Sequence, residues 1–203
     1  DLLDPVITLV AVLTLVTAPL GAIAETNLRR ALGFMVIGGI GATIAGMALS
    51  GPLGIGGSTL YIVNAMVTMS ALYLVAGLIE KMTGATDTRR MGGLYGATSL
   101  PAILFLTLVL ATAGVPPLLG FWPKLLLLEA GLDQSGLVSG IIDWGALALT
   151  LALLVNALLT LFAGARLWSH IFWRAGPEGS GVGEGSGLRA LTPRETWLGL
   201  LPA

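Results

Sequence analysis

Ala113-Gly114-Val115-Pro116-Pro117-Leu118-Leu119-Gly120-Phe121-Trp122-Pro123-Lys124 decides how this chain folds. It ends an uncharged run that begins at Met91 and is interrupted only by its own glycines and prolines. A bilayer-crossing helix takes about 20 apolar residues, and the run from 91 to 123 is too long for one. Tandem prolines remove two backbone donors and clash with the preceding turn, so a continuous helix breaks there. The expectation is one discontinuous span over 98–130, with half-helices at 98–113 and 118–130. The break covers 114–120 and is set by Gly114, Pro116, Pro117 and Gly120.

Composition outside this stretch agrees with a lipid solvent. Of 203 residues, 55% are apolar and only 10% charged, and the mean hydropathy is +0.92. Soluble domains carry roughly 25% charge, so this chain lacks the polar groups to cover a globular surface. The fold class expected is all-α: a polytopic transmembrane helical bundle with one broken helix. Five spans are expected in 1–174, at 5–24, 31–50, 60–79, 98–130 and 141–172, with 175–193 a flexible polar loop and 194–203 the start of a truncated last helix. Asp4-Pro5 suits the start of the first span, and Glu25 to Arg30 closes it and caps the second. Gly51 to Gly57 reads as an uncharged turn before a third span opened by Ser58-Thr59. Gly38, Ala42 and Gly46 repeat at i, i+4, i+8, a small-residue face for close helix contact. The chain starts at Asp1 without a basic leader and stops inside an apolar run. It is therefore expected to be a piece of a longer polypeptide.

Basic residues set the orientation. Of ten Lys and Arg, nine lie in or beside the loops at 25–30, 80–90 and beyond 165, and none lies in 51–59 or 131–140. The positive-inside rule puts the Arg-bearing loops in the cytoplasm.

The exception is Lys124, with apolar neighbours on both sides. An ammonium at that depth costs several kcal/mol unless it meets water or a partner, and such residues usually mark ion or proton paths. The competing reading is a lysine snorkelling to the outer interface; the adjacent break favours function, because irregular backbone in a membrane lines cavities. Glu129 follows five residues on, about 140° around the helix, so it is either an outer-interface acid or a point of proton release. Tyr61, Asn64 and Thr68 share one face of the third span at i, i+3, i+7, and either hydrogen-bond between helices or hydrate a proton wire. Asn156 and Thr160 form an i, i+4 pair read as packing. His170 near the cytoplasmic end either exchanges protons there or belongs to an interfacial belt with Trp168 and Trp173. The absence of Cys and the single His leave no thiolate or all-histidine metal site. No metal and no cofactor are expected, and no motif supports covalent catalysis, so an enzyme is not expected.

Leu74-Val75-Ala76-Gly77-Leu78-Ile79-Glu80, followed by the Gly-Pro-Pro…Gly-Phe…Lys stretch, closely resembles the antiporter-like subunits shared by Mrp-type sodium/proton antiporters and respiratory complex I. Thr26-Asn27-Leu28-Arg29-Arg30 fits the family's acidic/amide-x-basic-basic pattern after a span. Glu129-Ala130-Gly131, Ala165-Arg166-Leu167-Trp168 and Phe172-Trp173 look most like the D-type member of the Mrp complex. The resemblance covers about 21–174 and implies inverted repeats, of which this chain is half and the C-terminal one. It places Lys124 on the family's lysine of the second discontinuous helix, toward the outward end of a proton route. Many relatives carry a His and, five residues on, a Lys where this chain has Asn64 and Met69. A relay here would be rebuilt from water held by Asn64, Thr68 and Tyr61.

Three functions remain open at this point. The first is a proton/monovalent-cation translocating component of a hetero-oligomeric antiporter in the cell's plasma (inner) membrane. Its partners would be the other subunits, protons, monovalent cations and lipid, with no nucleic acid. The second is the equivalent proton-pumping component of a complex I-like or hydrogenase assembly. The third is an ion-inert structural membrane subunit.

Overall fold

The computed structural model describes residues 3–92, 94, 99–137 and 140–174. The expected polar loop and the truncated last helix lie outside the described residues. Among the described residues six α-helices follow in order: α1 (Leu3–Ala24), α2 (Leu28–Ala48), α3 (Pro52–Thr83), α4 (Ser99–Ala113), α5 (Phe121–Gln134) and α6 (Trp144–Trp168), the last continued by a π-helical turn, Ser169–Trp173. Four of the helical segments are long and apolar enough to cross a membrane: α1, α2, α3, and α6 with its π-turn. α4 and α5 are too short individually. Both pack against α3 and α6, and together they make the broken crossing.

Two buried clusters stack along the bundle. One, at the Arg-rich end, joins Leu28, Leu32, Ile79, Phe105 and Phe172 from α2, α3, α4 and the π-turn. The other, at the far end, joins Leu15, Leu49, Tyr61, Leu127 and Leu149. α4 feeds the first cluster and α5 the second, so the interruption between them falls at mid-depth. Outward faces stay apolar, as at Val63, Met66, Val67 and Phe162, because lipid leaves no incentive for polar groups there.

The third span differs from the expectation. Gly51 to Gly57 is not a turn ahead of it: α3 starts at Pro52, the favoured first helical position for proline. Two of its glycines, Gly54 and Gly57, are there for proximity. A Cβ at Gly54 would strike the carbonyl oxygens of Leu49 and Gly46, and one at Gly57 would press on Leu127. Ser58, expected to open the span, is buried within it and donates to the carbonyl of Thr43 at 3.1 Å. α5 begins at Phe121 instead of Leu118 and runs on past 130 to Gln134. α2 begins at Leu28, capped by Asn27, whose side chain accepts from the Arg30 amide at 3.2 Å. Asp143 caps α6 by accepting from the amides of Gly145 and Ala146 at 2.8 and 3.3 Å.

Pro19 lies inside α1, and proline cannot donate to the carbonyl four residues back. That carbonyl belongs to Leu15, and the Asn156 side chain of α6 donates to it at 2.8 Å. Gly38 of α2 leaves the space, since a Cβ there would lie 3.1 Å from Asn156 Nδ2. The small-residue row therefore serves two contacts: Gly38 meets α1 and α6, and Gly46 meets Ser58 and Leu127.

Candidate functional site

α4 ends in a fully accounted turn. Its last four carbonyls, Leu110 to Ala113, have no partner within the helix by geometry alone. The amide of Val115 reaches back to Leu110 O at 3.0 Å and that of Gly114 to Ala111 O at 3.1 Å, the paired bonds of a Schellman end. Gly114 has φ +88°, which a residue without Cβ adopts freely. Two carbonyls then remain. Lys124 Nζ donates to both, to Thr112 O at 2.9 Å and Ala113 O at 2.8 Å.

The Lys124 amine is thus buried at the negative end of a helix dipole. It enters from the first turn of α5, where Gly120 lets the two half-helices touch: a Cβ there would run into Ala111 O. Gly114 makes room for the lysine stem, because a Cβ on it would sit 2.6 Å from Lys124 Cδ. Residues 114–120 are non-helical, and the Pro116–Pro117 bond is cis.

Beside the break a cavity of about 520 Å³ lies between α2, α3 and the end of α4. Its polar lining includes Thr43, Tyr61, Asn64, Thr68, Tyr73 and Thr112. Thr68 Oγ1 donates to Asn64 Oδ1 at 3.4 Å. Thr112 joins cavity to lysine, since it lines the former and its carbonyl binds the latter. Sequence reasoning missed Thr112: on an apolar helix its hydroxyl bonds its own backbone, to Leu108 O at 2.8 Å, and only its place before the break distinguishes it.

The structure thus brings Tyr61, Asn64 and Thr68 together with Lys124 by way of Thr112. It does not bring Glu129 or His170 to them. Glu129 is exposed, and the hydrogen bonds of Lys124 go to carbonyls. His170 is half-buried in the π-turn at the opposite end of α6. Asn156 serves α1. Among the described residues no group of three or more His, Cys, Asp or Glu is placed to hold a metal.

A bundle of apolar helices, four of them long enough to cross a membrane, with a broken crossing between them defines a multi-pass membrane protein. The sequence pattern of the family described as NADH:quinone oxidoreductase/Mrp antiporter, transmembrane, matches residues 2–161, and the chain belongs to that family. It is 32% identical over 168 residues to the D-type component of the Na(+)/H(+) antiporter of Alkalihalophilus pseudofirmus, covering 82% of this chain and 32% of that protein. It is 28% identical over 163 residues to the corresponding D-type component of the Na(+)/H(+) antiporter of Bacillus subtilis, covering 80% of this chain and 31% of that one. In the solved Mrp complex from Dietzia sp. DQ12-45-1b one chain superposes with a TM-score of 0.73 at 30% identity, covering 86% of this chain and 30% of that chain. The chain spans about a third of the length of the curated relatives it matches.

Proposed function

We propose that this chain is the part of a D-type antiporter component that carries a proton half-channel. It would work within a transporter and not as an enzyme, in the plasma membrane, in a complex that exchanges protons for a monovalent cation. One observation carries the reading: Lys124 is buried at a mid-depth helix break, bonded to the carbonyls of Thr112 and Ala113, beside a largely apolar cavity into which Tyr61, Asn64 and Thr68 bring polar groups. Lysine can hold and release a proton, and buried lysines are used that way. The Arg-bearing loops would face the cytoplasm, and Lys124 would pass protons between the cavity and the opposite surface.

Capping of α4 by Lys124 favours a second reading, in which the lysine is ion-inert and only ties the half-helices together. Lys124→Ala and Lys124→Arg in the assembled complex separate the two. The relay reading expects Lys124→Ala to assemble and lose most cation-driven proton flux. Lys124→Arg is expected to impair flux as well, since a guanidinium stays protonated. Normal flux in Lys124→Arg would make the residue a fixed charge. A proton-pumping role in a complex I-like or hydrogenase assembly is distinguished by the subunits that copurify with the chain.

A further inference from the structure

The cavity beside Lys124 extends toward the Arg-rich end as far as Tyr73. From Tyr73 the same face of α3 continues through Gly77 to Glu80, at i+4 and i+7, roughly 10 Å along the axis. Tyr73 Oη donates to the carbonyl of Arg29 at 3.4 Å, and Arg29 Nε donates to Glu80 Oε2 at 2.7 Å. Two glycines flank this line. A Cβ at Gly33 would lie 3.5 Å from the Tyr73 hydroxyl, and one at Gly77 would lie 3.5 Å from Arg29 Nη2. Both glycines therefore lie within ordinary contact distance of the tyrosine hydroxyl and the arginine.

Helix chemistry does not explain an acid here. Glu80 lies in the last turns of α3, at the negative end of the dipole, where acids are disfavoured. Nor does the ion pair explain it fully. Arg29 occupies Oε2, whereas Oε1 is buried with no hydrogen-bond partner among the described residues. A buried oxygen without a partner is costly and often marks a working group or a water site. Arg29 is itself half-exposed, with 56% of its side chain open, against 11% for Glu80. The pair therefore bridges the surface and the line that leads to the cavity.

We propose that Glu80 is the proton-loading carboxylate at the Arg-rich mouth of that cavity, with Arg29 holding Oε2 so that Oε1 faces inward. Water entering at the mouth brings a hydronium to Oε1, which takes its proton, forming an O–H bond and leaving water. That bond then breaks as the proton passes to water beside Tyr73, at the near end of the cavity, and the carboxylate is restored. The assignment rests on the reading of Lys124 as a relay, and the experiment keeps the two apart.

In the assembled complex, Glu80→Gln keeps the side chain's size and its bond to Arg29 but cannot be loaded. The expected result is normal assembly with proton flux reduced to the level of Lys124→Ala. The exchanged pair Arg29→Glu with Glu80→Arg keeps the ion pair but moves the acid to α2, and it is expected to assemble and still transport poorly. Wild-type flux in Glu80→Gln, or in the exchanged pair should Glu80→Gln fail to assemble, would reduce Glu80 to a clasp and overturn the proposal. Lys124→Ala is the separate arm: wild-type flux there sinks the lysine relay, whereas wild-type flux in Glu80→Gln alone sinks only the loading role of Glu80.

Discussion

Replacing Asn156 with Leu should destabilise the bundle mainly because Pro19 is present. In α1 the carbonyl of Leu15 has no backbone donor, since Pro19 occupies the position that would supply it, and Asn156 Nδ2 supplies the bond at 2.8 Å. Leu15 is 0% exposed, so water does not substitute. Leaving a buried carbonyl bare costs about 1–3 kcal/mol, while interhelical hydrogen bonds in membranes average about 0.6 and reach about 1.7 kcal/mol. The enclosed site places Asn156→Leu near the top of the second range, about 1.5 kcal/mol, or roughly tenfold in the unfolding constant. Pro19→Ala restores the backbone donor, and in that background Asn156→Leu should cost about 1 kcal/mol less. Reversible detergent unfolding of the four members of this cycle measures the coupling. A coupling of zero would refute the account, because it would mean that the asparagine and the proline-freed carbonyl do not depend on each other.

Gly114→Ala should cost about 1–2 kcal/mol by forcing a side chain to a positive φ, and its Cβ should displace the Lys124 stem, lowering flux although the lysine remains; unfolding and flux assays on the same preparation check both. Gly131→Ala should weaken the contact between α5 and α6, where a Cβ would meet the Thr150 hydroxyl, by about 1–3 kcal/mol, read as a lowered unfolding midpoint. The chain has no cysteine, so Leu137→Cys and Arg89→Cys, both exposed, should label with a membrane-impermeant reagent from opposite sides. Labelling from one side would overturn the topology.

The broken crossing is legible in the sequence because Pro116 and Pro117 act through local sterics that need no tertiary context. Lys124 stands out for the same reason, as a charge in an apolar run. What it bonds to is not legible: the carbonyls of Thr112 and Ala113 become available only once the Schellman turn has taken the two before them. The glycines of 54–57 mislead because a glycine signals either a turn or a close approach, and only the position of Leu49 and Leu127 tells which. Asn156 gives no hint that its partner is a proline-freed backbone group far away in the chain. Glu80 stands in the sequence only as part of a family motif, and its unpartnered oxygen needs the fold to emerge.

The cap on α4 has a consequence for valence. An ammonium carries three N–H bonds, and two of those on Lys124 are committed to the carbonyls of Thr112 and Ala113. One hydrogen is left, and it alone can leave without orphaning a carbonyl. A neutral amine retains two N–H bonds, as many as the helix end requires, and its lone pair points where the departed proton lay. The end of α4 therefore stays capped whether the lysine is charged or neutral, so a change of charge there would not require the backbone at the break to rearrange. Under the proposed relay, exchange at this nitrogen would be one proton at a time, along one direction fixed by the two bonds that do not change.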